Sequence, residues 1–424
     1  MEHYNKKYQE RYVEKTLDNG LHVVIWQKKD YHKSIFMMGT PLGALDLKQH
    51  DQNQEYSFPA GVAHFLEHKM FEDENEDIMD SFAKMSCVVN AFTSYNETCY
   101  YFTTSSDFEK PLNKLLDFVQ ELKITKESVE KEKGIICQEL SMYQQNSDVN
   151  LYQETFLSIF DQFPMRFDIG GDAESVNAIT LEDLELCYKL NYHPSKMILV
   201  GVCSNDPNEV IQMIEKNQAT KSFPKVNLVE RSTYDESVHV ARKHFEKKMD
   251  ISIPKVNICF KMKGILDPKE CLNAEMCFRI MLEANFSSLD NDYQKWFDEG
   301  LINDYFNFDT DFTRDYAIIM FYSETNKVEE FTNTIKEKLL KMKDNLISDE
   351  TLIQLKKRYH GSAVKMLNNF DSIATSYIRK YFEKLDYFDS IDLIFRIDKD
   401  RLNKAYKLLD VEEYATVLIE PNND

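Results

Sequence analysis

The chain has 424 residues, with 72 acidic against 51 basic side chains and a formal charge of −21. At roughly 100–200 residues per domain, this length suggests about two to four domains, and the acidic balance argues against nucleic acid or an anionic membrane as partner. With 43% hydrophobic residues, 28 Phe and 23 Tyr, the chain can bury a core, while only 11 Gly and 10 Pro exclude collagen-like or Pro/Gly-rich architectures.

The first ten residues carry no apolar run after their charges, so no secretory leader is expected. The alternation of Leu21–Trp26, after an Asn19-Gly20 turn, and of Ser34–Met38 predicts two strands. Asp46–Ser57 is polar and is expected to be an exposed loop. In Gly61–Phe71 the apolar residues Val62, Phe65, Leu66, Met70 and Phe71 recur at helical spacing. Cys87–Phe92 and Cys99–Thr104 predict a hairpin around Ser94–Glu97. Helices are expected near Phe108–Leu122 and from Lys126 to beyond Glu139.

The later half echoes this order. Ile124-Thr-Lys-Glu-Ser-Val opens one helix, and Ile347-Ser-Asp-Glu-Thr-Leu opens another 223 residues further on. Each follows an aromatic strand, Tyr100–Thr104 or Met320–Ser323, and a long amphipathic helix. This predicts a tandem duplication of one α+β unit: a domain over 1–226, a polar linker over 227–248 and a second domain over 249–424. The longest apolar stretch, Met197–Cys203, falls far short of the ~18–20 residues of a membrane span. None of the eight cysteines forms a CxxC pair, which removes zinc-ribbon and thioredoxin-type readings, and eight in a chain this long with no expected leader point to reduced thiols and a cytoplasmic location.

The most informative segment is His64-Phe65-Leu66-Glu67-His68. On a helix, residues i and i+4 share a face, so both imidazoles can aim at one point. Two neutral imidazoles leave room on Zn²⁺ for a carboxylate and a water, and Glu67 suits the role of base towards that water. A third ligand must come from elsewhere. The helix Glu130–Glu139 offers Glu130, Glu132 and Glu139, of which Glu132 and Glu139 lie two turns apart on one face. That spacing suits a ligand and a carboxylate orienting a ligand His, and equally an ordinary solvated charge face.

Ala63–Glu72, Val89–Ser94 and Glu130–Glu139 closely resemble the insulinase/pitrilysin zinc metallopeptidases, whose inverted motif is HxxEH. Phe167–Gly171, Ile179–Leu184 and Tyr192–Leu199 match as well, and the likeness is to the half-length bacterial members of the YmfH-like group. The resemblance implies zinc held by His64, His68 and Glu139, with Glu67 as base and Glu132 in support. It implies two homologous α+β domains, each a largely antiparallel or mixed sheet backed by helices. Substrate peptide would add as a strand beside Val89–Thr93, meeting Asn90, Ala91 and Phe92.

The departures are as informative. Aligning Ala274 with Ala63 puts Glu275 and Arg279 where His64 and His68 stand, so the second repeat keeps no metal motif. The family also carries an Arg and a Tyr seven apart around a Gly-Leu, and here Trp296 and Asn303 occupy those positions, with Tyr305 close by. Half-length members work as pairs, one chain giving the zinc and the other the Arg/Tyr pair. The expected function is therefore a zinc endopeptidase acting on peptides or unfolded segments, as the zinc subunit of a heterodimer or a homodimer. The alternative is a peptide-binding or assembly subunit with an inactive or structural zinc site.

Overall fold

The computed structural model describes residues 1–73, 77–344 and 346–422. They form two compact units: Met1–Leu140 with Asp168–Ser232 and Val364–Phe382, and Ser141–Phe167 with Thr233–Ala363 and Glu383–Asp424. Each unit thus takes a helical segment from the other half of the chain, in addition to the contiguous stretch that the sequence pattern suggests.

In the first unit the strands are β1 (Glu2–Asn5), β2 (Glu10–Thr16), β3 (His22–Gln27), β4 (Ser34–Thr40), β5 (Lys48–His50), β6 (Glu55–Ser57), β7 (Cys87–Thr93), β8 (Thr98–Thr104), β9 (Ile198–Cys203) and β10 (Glu230–Arg231). Seven of them build one sheet in the order 1-2-3-9-4-8-7, with only the β3–β9 pair parallel. Every residue of β4 and β9 is buried, because both faces of the sheet are covered. On one face Val23, Ile25, Phe36, Met38, Tyr100 and Phe102 join the helices α1 (Val62–Met70), α2 (Ile78–Lys84), α3 (Glu109–Val119) and α4 (Lys126–Tyr143) in a single core. On the other, the helix Phe370–Phe382 packs against β4 and β9. Ile378 there sits so close that a Cβ on Gly39 would lie 2.9 Å from it, so only glycine fits.

The expected exposed loop at 46–57 is instead ordered. β5, β6 and β10 form a small antiparallel sheet, and Asp46 is buried against a two-pronged bond from Arg231, at 2.9 Å to each oxygen. Most of the stretch is exposed, as its polarity suggests, but its pairing with a segment about 180 residues away leaves no local signal.

The second unit has β11 (His244–Met249), β12 (Lys255–Lys263), β13 (Asn307–Phe312), β14 (Tyr316–Glu324) and β15 (Tyr414–Pro421) in the order 11-15-12-14-13, with only β11–β15 parallel. Replacing 3-9-4-8-7 by 11-15-12-14-13 reproduces every pairing and its direction, which is the structural form of the duplication. Val256, Ile258, Phe260 and Met262 face the main core with helix Pro268–Phe286. The intervening Lys255, Asn257 and Lys261 are also buried, because helix α5 (Ser147–Ile159) covers that face. Asn257 donates to Thr155 Oγ1 at 3.0 Å, and Lys261 Nζ donates to Ile159 O at 2.8 Å, Glu236 Oε1 at 2.6 Å and His239 O at 3.1 Å. Among the described residues no helix is long and apolar enough to cross a membrane, and all eight cysteines are free thiols.

Candidate metal centre

Helix α1 begins at Gly61, in the left-handed region at φ 88°, where a Cβ would lie 2.3 Å from Gly170 O. Glycine there lets the 167–171 loop close over the start of the helix. Asp168 shapes that loop by accepting the Gly170 N–H at 2.8 Å. Val62, Ala63, Phe65, Leu66 and Met70 drive α1 into the core, which leaves His64, Glu67 and His68 along its partly exposed side. Helix α4 buries only Val129, Ile136 and Leu140 along its length, so Glu132 and Glu139 project beside that stripe.

These two helices bring the predicted residues together. One ligand atom each from His64, His68 and Glu139 lies within 4.8 Å of the others, and His68 Nε2 is 3.7 Å from Glu139 Oε2. The two rings meet edge-on with centroids 4.5 Å apart. Glu132 stands on the opposite side of His68, its Oε1 3.0 Å from Nδ1. That bond places the proton on Nδ1 and leaves the Nε2 lone pair towards Glu139. Glu130, the third candidate on α4, pairs instead with Lys133 at 2.8 Å.

The electrostatics separate the two imidazoles. Burial, and secondarily the neighbouring His68, push His64 down to about 4, so it is neutral at pH 7. Burial also opposes charge on His68, but its bond to Glu132 and the carboxylates around it outweigh burial and raise it. Glu67 is raised by burial, against the opposing hydrogen bond from Thr93 Oγ1 to its Oε2 at 2.6 Å. Glu132 is disfavoured as an anion by burial, yet His68 and Lys69 hold it below the usual carboxylate range. Two imidazoles and one carboxylate match the three-ligand set of a catalytic zinc site, which keeps one position open. His64 Nδ1 is buried against the 167–171 loop without a hydrogen-bond partner.

The expected substrate strand lies at the sheet margin: among the described residues β7 pairs only with β8, and it runs beside α1. Asn90, Ala91 and Phe92 sit along it, with Asn90 Oδ1 accepting the Ala91 N–H at 2.8 Å and Phe92 6.5 Å from Tyr101 between ring centroids. Thr93 connects that strand to Glu67, a contact 26 residues apart for which no spacing in the sequence gives a signal. Lys69 is the other residue absent from the sequence reading, because its neighbours are only visible once α1 and α4 are packed.

The second unit lacks the donors. At the place of His64 and His68, Glu275 and Arg279 form an ion pair at 2.7 Å, and Thr310 of the edge strand β13 contacts both. The 223-residue offset puts Leu355 and Ser362 at the positions of Glu132 and Glu139. Trp296 is buried in the core, Asn303 donates to Glu324 at 3.1 Å, and the Tyr305 hydroxyl is bound to Asp148 at 2.5 Å.

Two family descriptions match the chain: "Insulinase (Peptidase family M16)" over residues 53–163 and "Peptidase M16 inactive domain" over residues 178–359. The zinc protease YmfH of Bacillus subtilis (strain 168), itself described as uncharacterized, is 34% identical over 394 residues, covering 92% of this chain and 91% of that protein. The crystal structure of a putative M16-like peptidase from Alicyclobacillus acidocaldarius superposes with a TM-score of 0.93 at 29% identity, covering 97% of this chain and 99% of the other. A Helicobacter pylori protease shares the fold at 17% identity, with a TM-score of 0.81 over 97% and 100% of the two chains. With its HxxEH helix, its duplicated α+β architecture and this full-length relative, the chain belongs to the M16, or insulinase, family of zinc proteases.

Proposed function

We propose that this chain is a zinc-dependent endopeptidase that takes its peptide as an added strand on β7 and serves as the zinc-bearing subunit of a pair. The observation that carries this reading is the convergence of His64, His68 and Glu139, with Glu67 bonded to the edge strand through Thr93. His64, His68 and Glu139 would hold the ion, and a zinc there would acidify a water and polarise the scissile carbonyl. Glu67 accepts the proton of the attacking water at its carboxylate. Once the water oxygen has bonded to the carbonyl carbon, Glu67 returns that proton to the amide nitrogen as the C–N bond breaks. Main-chain groups of Asn90, Ala91 and Phe92 align the peptide, so backbone shape is recognised more than side-chain identity. Glu132 keeps His68 turned towards the ion.

The pairing is supported by Trp296 and Asn303, which offer neither the cation nor the phenol expected at their positions, and by Tyr305, already engaged with Asp148. A homologous partner chain of different sequence would supply them. Eight free thiols support a cytoplasmic location.

The test is metal analysis with a fluorogenic peptide library, on the purified chain alone and with homologous chains from the same source. We expect about one zinc per chain, slow cleavage alone and a large gain with partner. Glu67→Gln keeps the zinc and loses about 10²–10⁴-fold in rate, the usual contribution of general acid–base catalysis. Undiminished cleavage by that variant would refute the role of Glu67. Bound zinc with no cleavage under either condition would favour the second reading, a peptide-binding or assembly subunit, which the unsupplied Arg/Tyr pair also suits.

A further inference from the structure

Lys69 follows the second histidine of the motif, and its side chain is only 3% exposed. A lysine so far from water needs its charge and three donors met. Nζ reaches Glu132 Oε2 at 3.5 Å and Ser128 O at 3.4 Å, and it also pairs with Glu72. The Glu132 carboxylate is therefore divided: Oε1 faces His68 Nδ1 at 3.0 Å, and Oε2 faces Lys69. Both oxygens of this α4 carboxylate thus face adjacent residues of α1, and rotating it away from the histidine would take one of three partners from a buried cation.

We propose that Lys69 is a positioning residue for the metal centre: it clamps Glu132 so that His68 keeps its proton on Nδ1 and presents Nε2 to the ion. This inference rests on the zinc reading above, but its first consequence concerns the metal-free chain. Removing the Lys69 cation frees one oxygen of Glu132 and leaves that carboxylate beside Glu72 with no positive charge between them. The imidazole then loses its fixed tautomer, and the metal loses a preformed ligand. Partners that orient a ligand histidine typically contribute about 10–100-fold in metal affinity.

The experiment uses the full chain and the variants Lys69→Met, Lys69→Arg, Glu132→Gln and the double variant Lys69→Met/Glu132→Gln, each checked for a native thermal transition. Two quantities are read: imidazole ¹⁵N shifts of histidine-labelled, metal-stripped protein, and zinc affinity by chelator competition. At a pH high enough to hold the ring neutral, the wild-type His68 should be a single Nδ1–H tautomer, which Lys69→Met converts to a mixture and Lys69→Arg preserves. Zinc affinity should fall about tenfold in Lys69→Met, be largely restored in Lys69→Arg, and be no lower in the double variant than in Glu132→Gln alone. An unchanged tautomer with unchanged affinity in Lys69→Met overturns the proposal, as do fully additive losses in the double variant. If wild type fails to bind zinc while the tautomer still depends on Lys69, the clamp stands and the zinc reading falls.

Discussion

Thr93→Val offers a sharp test of how the edge strand serves the chemistry. The substitution keeps the shape of the side chain and deletes the hydroxyl that donates to Glu67 Oε2 at 2.6 Å. Glu67 is largely buried, and burial raises it while this bond opposes the rise. A hydrogen bond to a charged group is worth about 1.5–3 kcal/mol, and about 1.4 kcal/mol corresponds to a tenfold change. Loss of the bond both loosens Glu67 and disfavours the ionised form that accepts the proton. We expect kcat/KM to fall about 10–100-fold, with the zinc content unchanged. Thr93→Ser, which keeps the donor and loses the methyl group, should retain most of the activity. The assay is steady-state cleavage of one fluorogenic peptide alongside metal analysis of the same samples. A fully active Thr93→Val carrying full zinc would refute the reasoning. A Thr93→Ser as damaged as Thr93→Val would move the effect from the hydroxyl to packing.

Two other predictions concern stability. Lys261→Met removes a cation with 2% exposure that meets Glu236, 5% exposed, and two carbonyls, so urea unfolding at pH 7 should show a loss of about 3–5 kcal/mol if the transition is two-state. Burial raises Glu236, but its bonds from Lys261, Asp161 and Gln162 hold it below the usual carboxylate range; its contribution is therefore present above the unfolded value near ~4.3 and lost as pH falls through the lowered folded value. The gap between wild type and variant should accordingly narrow below about pH 4, and a gap independent of pH would refute the assignment. Gly61→Ala places a Cβ in a left-handed position and 2.3 Å from Gly170 O, so it should cost at least about 1–3 kcal/mol in thermal unfolding and weaken zinc binding; a neutral variant would show that the 167–171 loop does not set the start of α1.

The site was legible where its information is local. His64, Glu67 and His68 fall on one helical face within five residues, and Glu132 and Glu139 lie two turns apart on another amphipathic helix, so spacing alone narrows the donors to a few carboxylates. Which carboxylate faces which histidine depends on how α1 and α4 pack, and spacing leaves that open. The edge position of β7 also exceeds local pattern, since a hairpin strand alternates in the same way at an edge or in the interior. In β12, Lys255, Asn257 and Lys261 alternate with Val256, Ile258 and Phe260 as they would on a half-solvated strand. They are buried because α5, about 100 residues earlier, lies over them and accepts their hydrogen bonds. β9 departs in the opposite sense: its continuous burial erases the alternation that marks a strand.

The reciprocal placement of α5 and helix Phe370–Phe382 bears on how the chain is made. The first unit cannot close the outer face of β4 and β9 until residues 370–382 have left the ribosome, well after its own strands. Until then Met37, Val200 and their neighbours, buried in the finished fold, form an uncovered apolar surface. A cut anywhere in 227–248 would likewise yield fragments of which neither holds all the helices its own sheet needs. Each of the two similar sheets is therefore completed by a helix that lies on the far side of that seam.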